Sequence, residues 1–334
     1  MQRLLRKCLL LILLVSIPLY LCGAAYLQTD AYQNIRRGNW TDSFYKIPDT
    51  ISMAVFGSSH GRAGFLYPPS DSSFFNFSLA SQTAQYDWNM MREYENRFLP
   101  GTIVILTVSS LSPFWTDSEA TFESKQARYY QVLSPGNIED ADYFRWGKER
   151  FFPVLSKSLP ELVKAFFYKT PVAPNYIEDV RGKVLKEADI ESERKRIMKN
   201  HISLISPIYP ETNSVMMDSY RAILSHCQEN GWPVILVTPP YTDVYNDILE
   251  TYDKDFYEVF SQAVTAIAEE YGVPYLDYSH DPDYTASYDF FRDVDHLNIE
   301  GSKEFDASFF QDASALLGEK FPFSTQLSDV PFGS

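Results

Sequence analysis

Two short stretches far apart in the chain carry residue types that can work on a carbonyl group. Ser59 lies in Phe56-Gly57-Ser58-Ser59-His60-Gly61-Arg62, where an apolar run gives way to small residues at the expected start of a helix. Near the other end stands Arg292-Asp293-Val294-Asp295-His296-Leu297-Asn298. An acid three residues before a histidine can orient the imidazole while its other nitrogen faces a nucleophile. An ordinary pKa near 6.5 lets that histidine take a serine proton and return it to a leaving group. Ser59, Asp293 and His296 therefore read as a catalytic triad, with Ser59 forming an acyl-serine. The plainer readings are an N-cap for Ser59 and a charge-paired surface turn for Asp293 and His296. A metal, with Asp289 or Asp295 as extra oxygen ligands, is not expected, because a second histidine at ligand spacing is absent.

Positioning these groups requires a scaffold, and the apolar pattern supplies one. Five short β-rich runs occur at 51–56, 74–78, 103–108, 234–238 and 274–277. Helical patterns before the fourth and fifth end at Asn230-Gly231 and Tyr271-Gly272, each glycine serving as a left-handed stop. Phe256, Val259, Phe260, Val264, Ile267, Ala268 and Tyr271 repeat at three and four, giving a helix with one apolar face. Alternating strands and helices predict an α/β fold whose parallel sheet is covered on both sides. In such sheets ligands bind beyond the carboxyl ends of the strands, where Ser59 is expected. His60 and Arg62 beside it, and Tyr241 and Thr242 after the fourth strand, are expected to face substrate.

The N-terminus carries Arg3, Arg6 and Lys7 before an uncharged run from Cys8 to about Gln28. That run suffices to cross a hydrocarbon core of roughly 30 Å, with the basic flank on the cytoplasmic side. It exceeds the usual signal-peptide core of about 7–15 residues, so retention as a single-pass anchor is expected. Cleavage near Cys22-Gly23-Ala24 would instead give a secreted protein. Residues 29–50 read as a linker, 51–113 and 213–320 as the catalytic domain, 114–212 as a helical insertion or lid, and 321–334 as a loose tail. Aromatic side chains in the insertion are expected to be core rather than a binding surface.

A net charge of −15 excludes nucleic acid as a partner, because phosphate binding needs clustered Lys and Arg. Outside the apolar segment Cys227 is the one cysteine, so no disulfide forms there. Its place on the apolar side of a helix makes it a buried, unreactive group.

Gly57-Ser58-Ser59 early and Asp293-x-x-His296 late resemble the first and last sequence blocks of the SGNH/GDSL hydrolase superfamily. The Ser58-Ser59 pair also resembles DltD-type proteins of teichoic-acid D-alanylation, which share the basic start and single span. The resemblance covers roughly residues 51–310 without the insertion. It implies a flavodoxin-like three-layer αβα sandwich with about five parallel strands, no cofactor, and Ser59 as the nucleophile. The family's oxyanion donors are a glycine N–H and an asparagine side chain. Here the matching segments are Ser78-Leu79-Ala80-Ser81-Gln82 and Ser109-Ser110-Leu111-Ser112, so the N–H groups of Ser59 and of Ala80 or Ser81, with the Ser109 hydroxyl, are the candidates. The implied activity is an extracytoplasmic esterase or O-acyltransferase acting on an acylated glycan or other envelope polymer. A membrane-bound O-acyltransferase and the lipid bilayer are the implied partners. The alternative is a non-catalytic accessory protein that keeps the fold.

Overall fold

The computed structural model describes residues 2–116 and 119–334, with side chains described outside 117–125. The chain divides into two compact units, residues 1–45 with 123–175 and residues 46–122 with 176–334.

The larger unit is built on a five-stranded, wholly parallel sheet: β1 (Ile51–Phe56), β2 (Phe74–Asn76), β3 (Phe98–Thr107), β4 (Val234–Thr238) and β5 (Tyr275–Asp277), in the order β2-β1-β3-β4-β5. The α/β expectation holds, strand by strand. Val55 lies opposite both Asn76 on β2 and Ile105 on β3, and Leu106 lies opposite Leu236 on β4. β4 and the second half of β3 are buried throughout, as strands covered on both faces must be. The helix Ser59–Gly64 packs with Ile299–Leu317, while Ala84–Tyr94, Ser214–Asn230 and Phe256–Tyr271 pack with one another or along β3 and β5. Gly231 (φ 68°) and Gly272 (φ 61°) end their helices in the left-handed region, as the sequence predicts. Cys227 is buried, and burial pushes its thiol up to about 12.

The smaller unit holds the helix Gln2–Tyr26, whose best 18-residue window has a mean hydropathy of 2.5 and is 6% buried. Among the described residues it is the helix long and apolar enough to cross a membrane. The helix Asp30–Gly38, capped by the Thr29 hydroxyl, occupies much of the expected linker and packs against Leu159–Phe167.

Three expectations are corrected. The segment 114–212 is not one insertion: 123–175 joins the N-terminal helices, whereas 176–212 belongs to the sheet unit. Its aromatics are not uniformly core, since Phe144 and Phe167 are each 80% exposed while Tyr129 and Tyr130 are buried. The tail after Phe321 is held, not loose. The Ser70 N–H donates to the Gln326 carbonyl, the Ser328 N–H to Pro68 and the Phe332 N–H to Leu66.

Candidate active site

Ser59 sits just past β1, beside β3, at the point where the chain order of the sheet reverses. Gly57 makes the turn with φ 138°, and a Cβ there would lie 1.7 Å from Thr107 Oγ1. No other residue fits, on conformational and steric grounds alike. A Cβ on Gly61 would lie 2.5 Å from the same oxygen, so both glycines let the short helix Ser59–Gly64 close onto the strand ends. Ser58, not Ser59, is the N-cap of that helix, which leaves the Ser59 hydroxyl for another partner. At the far end of the helix the Asp306 carboxylate accepts from the Leu66 and Tyr67 N–H groups at 3.0 and 2.6 Å.

That other partner is His296, whose Nε2 lies 2.8 Å from Ser59 Oγ. Its Nδ1 lies 2.9 Å from Asp293 Oδ1. The three-residue spacing has a local cause: Asp293 Oδ1 also accepts from the backbone N–H of His296 at 2.8 Å and of Asp295 at 3.2 Å, folding the loop around the carboxylate. The Arg292 N–H to His296 carbonyl bond closes the same turn at 3.0 Å. Asn298 then fixes where the loop ends, its Oδ1 capping Ile299–Leu317 through the Gly301 N–H and its amide donating to the Asp289 carbonyl. With Asp293 accepting from Nδ1–H, the neutral imidazole presents Nε2 as an acceptor to the Ser59 hydroxyl.

A second carboxylate lies behind the first. Asp295 is buried, with Oδ1 3.5 Å from His296 Nδ1 and Oδ2 3.3 Å from His60 Nε2. Arg196 donates to Asp295 and, at 2.7 Å, to Glu193, and lies 3.9 Å from Asp293. Burial opposes charge on His296, yet Asp293 and Asp295 outweigh it and raise its pKa to about 9. Burial also works against Asp293 and Asp295, but the facing His296 holds both below the usual carboxylate range. His60 and His201 go the other way: burial lowers both, His201 to about 4.

His60 forms a second relay parallel to the first. Its Nδ1 lies 3.1 Å from Ser58 Oγ, its Nε2 on Asp295, and its ring stacks on His296 with centroids 4.7 Å apart and planes 5° from parallel. With Nε2–H donating to Asp295, Nδ1 accepts from the Ser58 hydroxyl. Ser58 and His60 are both buried, whereas Ser59 is partly exposed, so only the Ser59 branch opens toward solvent.

Ser59, Asp293 and His296 thus come together, while other sequence candidates do not reach substrate as expected. Arg62 is buried with its guanidinium 5.2 Å from the Tyr176 ring and 5.7 Å from Phe332. Tyr241 is buried and its hydroxyl accepts from the Ser110 N–H at 3.2 Å. Thr242 is buried, donates to the Val294 carbonyl at 2.7 Å and caps Asp243–Tyr252. These three hold the site's walls, because their polar atoms are spent on the backbone or on aromatic faces. His60 is likewise an internal group rather than a surface contact. Ala80 and Ser81 follow β2 and Ser109 follows β3, on the strand-end edge that Ser59 occupies, since β2, β1 and β3 are adjacent and parallel. Ser81 has φ 52°, and the buried Ser109 hydroxyl is 2.8 Å from that of Ser112.

Sequence reasoning missed Asp295 as a working group, although its place beside His296 was a signal. It missed Arg196, Glu193 and His201, which no motif marks. It also missed Asp87, whose carboxylate accepts from the Gln82 side chain at 2.7 Å and from the Gly57 N–H beneath the serine turn. His60, Asp295 and His296 offer ligand atoms within 4.8 Å of one another, as do Glu193, Asp293 and Asp295. In both groups the Arg196 guanidinium already supplies the positive charge that a metal ion would bring.

Residues 163–312 match a family described as "Protein of unknown function (DUF1574)". The match includes Arg196, Asp293, Asp295 and His296 and stops short of Ser59. Among curated proteins, none matches the chain.

Proposed function

We propose that this protein is an extracytoplasmic, membrane-anchored serine esterase or O-acyltransferase of the SGNH/GDSL type, acting on acyl groups of an envelope or exported polysaccharide. The observation that carries the reading is the continuous relay Ser59 Oγ–His296 Nε2 at 2.8 Å and His296 Nδ1–Asp293 Oδ1 at 2.9 Å, set past the end of β1. The two sequence blocks that resemble the superfamily are the ones the fold joins. The substrate class rests on that resemblance and on the N-terminal helix rather than on the site's geometry.

In the first half-reaction His296 Nε2 takes the Ser59 proton as Oγ bonds to the ester carbonyl carbon, leaving the carbonyl oxygen as an oxyanion. The Ser59 N–H and a donor from Ala80 or Ser81 are the stabilising groups of this reading. Collapse breaks the bond to the alkoxy oxygen, which takes the proton from His296 and leaves as an alcohol. Ser59 now carries the acyl group. Water or a glycan hydroxyl then gives its proton to His296 as its oxygen bonds to the acyl carbon; the bond from that carbon to Ser59 Oγ breaks, Oγ takes the proton back from His296, and the free acid or the new ester leaves. Asp293 and Asp295 favour the imidazolium formed in both halves, at the cost of keeping much of His296 protonated at neutral pH.

One observation favours the accessory reading: the segment after β3 carries no asparagine, and the hydroxyl of Ser109, its side-chain candidate for the oxyanion, is paired with that of Ser112 at 2.8 Å. Reaction of the full chain in detergent with a fluorophosphonate, followed by peptide mass spectrometry, separates the two. A phosphonyl adduct on Ser59, lost in Ser59→Ala and His296→Ala, is the expected result. An intact fold with no adduct between pH 7 and about 10, past the raised His296 pKa, makes the accessory reading correct.

A further inference from the structure

Residues 143–172 place an uncommon mixture on the surface of the N-terminal unit. Phe144 and Phe167 are each 80% exposed, Leu159 74%, Tyr168 66% and Leu155 55%. Exposed apolar side chains so concentrated mark a surface with a partner. Interleaved with them are six basic residues, Arg145, Lys148, Arg150, Lys157, Lys164 and Lys169, against two acidic ones, Glu149 and Glu161. The surrounding chain has the opposite bias, its net charge being −15. Apolar anchors between cations fit a layer that is hydrocarbon within and phosphate at its face.

Position in the unit identifies that layer. The turn Phe151 to Pro153 abuts the N-terminal helix at Gly23, where a Cβ would lie 2.9 Å from Pro153 Cδ and 3.1 Å from the Phe151 carbonyl oxygen. The Tyr26 ring meets Phe166 edge-on at 6.3 Å. Gly23 follows Lys7 by 16 residues, about 24 Å along a helix axis. A hydrocarbon core of roughly 30 Å entered just after Lys7 has not ended there. The turn touching Gly23 therefore reaches the outer boundary of the bilayer. Backbone donors along it are paired within the segment, with Phe152 N–H on Lys148, Leu155 on Phe152 and Lys157 on Val154 at 2.9, 2.9 and 3.2 Å, which lowers the cost of entry into lipid.

We infer that residues 143–172 form a second membrane contact, a collar around the outer end of the spanning helix. It sets Phe144, Leu155, Leu159 and Phe167 into the outer leaflet and Lys and Arg at the level of the phospholipid phosphates. This rests on Gln2–Tyr26 spanning the bilayer, and not on the serine chemistry.

The test uses the full chain without Cys8, Cys22 and Cys227, one chain per nanodisc of phosphatidylethanolamine and phosphatidylglycerol. An environment-sensitive fluorophore is placed at Leu155→Cys, Leu159→Cys or Phe167→Cys. Leu13→Cys gives the membrane-buried reference and Glu258→Cys the aqueous one. Phospholipids brominated in the acyl chain are expected to quench the three collar labels several-fold more than the Glu258 label, and aqueous iodide several-fold less. Iodide quenching equal to that at Glu258 overturns the collar while Leu13 remains lipid-quenched. An unquenched Leu13 label overturns it at its premise. Protection from both quenchers overturns it too, because protein rather than lipid then covers the face.

Discussion

Asp295→Asn gives the sharpest test of how the site sets its base. Asp295 Oδ1 lies 3.5 Å from His296 Nδ1 and is buried, so its charge is poorly screened. At an effective dielectric constant near 20 that pair is worth about 4.7 kcal/mol, a ceiling of about 3.5 pH units on the His296 pKa. Arg196, 3.9 Å from Asp293, can shift its pairing to that carboxylate once Asp295 is neutral, and the remaining Asp293 charge still favours the imidazolium. A fall of about one to two pH units is therefore expected. The assay is the second-order rate of Ser59 phosphonylation against pH, which requires no knowledge of the natural substrate. In the wild type, His296 is protonated below its pKa of about 9 and accepts a proton only above it, so the rate rises with pH through that value. In Asp295→Asn the rise moves toward neutral pH. The plateau rate also drops, because a carboxamide offers one acceptor oxygen where Asp295 offered two, to Arg196 and to His60, and the hold on the ring stacked under His296 weakens. A midpoint that stays in place or moves up, in a variant with the wild-type melting profile, refutes the idea that Asp295 acts on His296 through its charge.

Asp293→Asn keeps an acceptor oxygen but removes the negative charge beside His296 Nδ1 and lets the amide N–H favour the wrong imidazole tautomer, and the labelling rate should fall by about 10⁴-fold, as for the orienting acid of other triads. Asp87 is pushed by burial up to about 7 from 3.8, so the folded state holds a proton that the unfolded state releases. Its contribution to stability is present below pH 4 and lost as pH rises through 7, with a ceiling of about 4 kcal/mol. Asp87→Asn should consequently raise the melting temperature at pH 8, raise it by less at pH 5, and leave it near the wild type below pH 4. Gly57→Ala forces a Cβ to 1.7 Å from Thr107 Oγ1 at φ 138°, and thermal unfolding should register a loss of about 3 kcal/mol or more. Phe332→Ala removes ring contacts at 5.4 and 5.3 Å to Phe74 and Phe75 and the face under Arg62. Urea denaturation should find it about 2–3 kcal/mol less stable.

The sequence by itself determined the parts of this protein that depend on local pattern. Strand positions follow from short β-branched and aromatic runs, helix ends from Gly231 and Gly272, and the parallel direction of the sheet from alternation of the two. The Asp293-x-x-His296 turn is equally local, because one carboxylate accepts from two backbone N–H groups and a ring within four residues. Ser59 was legible because a glycine-serine turn directly follows a buried strand. What only the tertiary structure decided are the interactions between segments distant in the chain, which no periodicity encodes. Arg196 reaches Asp295 across 99 positions and His60 reaches it across 235. Thr107 makes Gly57 obligatory from a neighbouring strand. Arg62, Tyr241 and Thr242 looked like substrate contacts because they adjoin the strand ends, yet their polar atoms are turned inward to hold loops in place. The exposure of Phe144, Leu159 and Phe167 was likewise unreadable, since an aromatic residue at helical spacing looks the same whether its face meets protein or a bilayer.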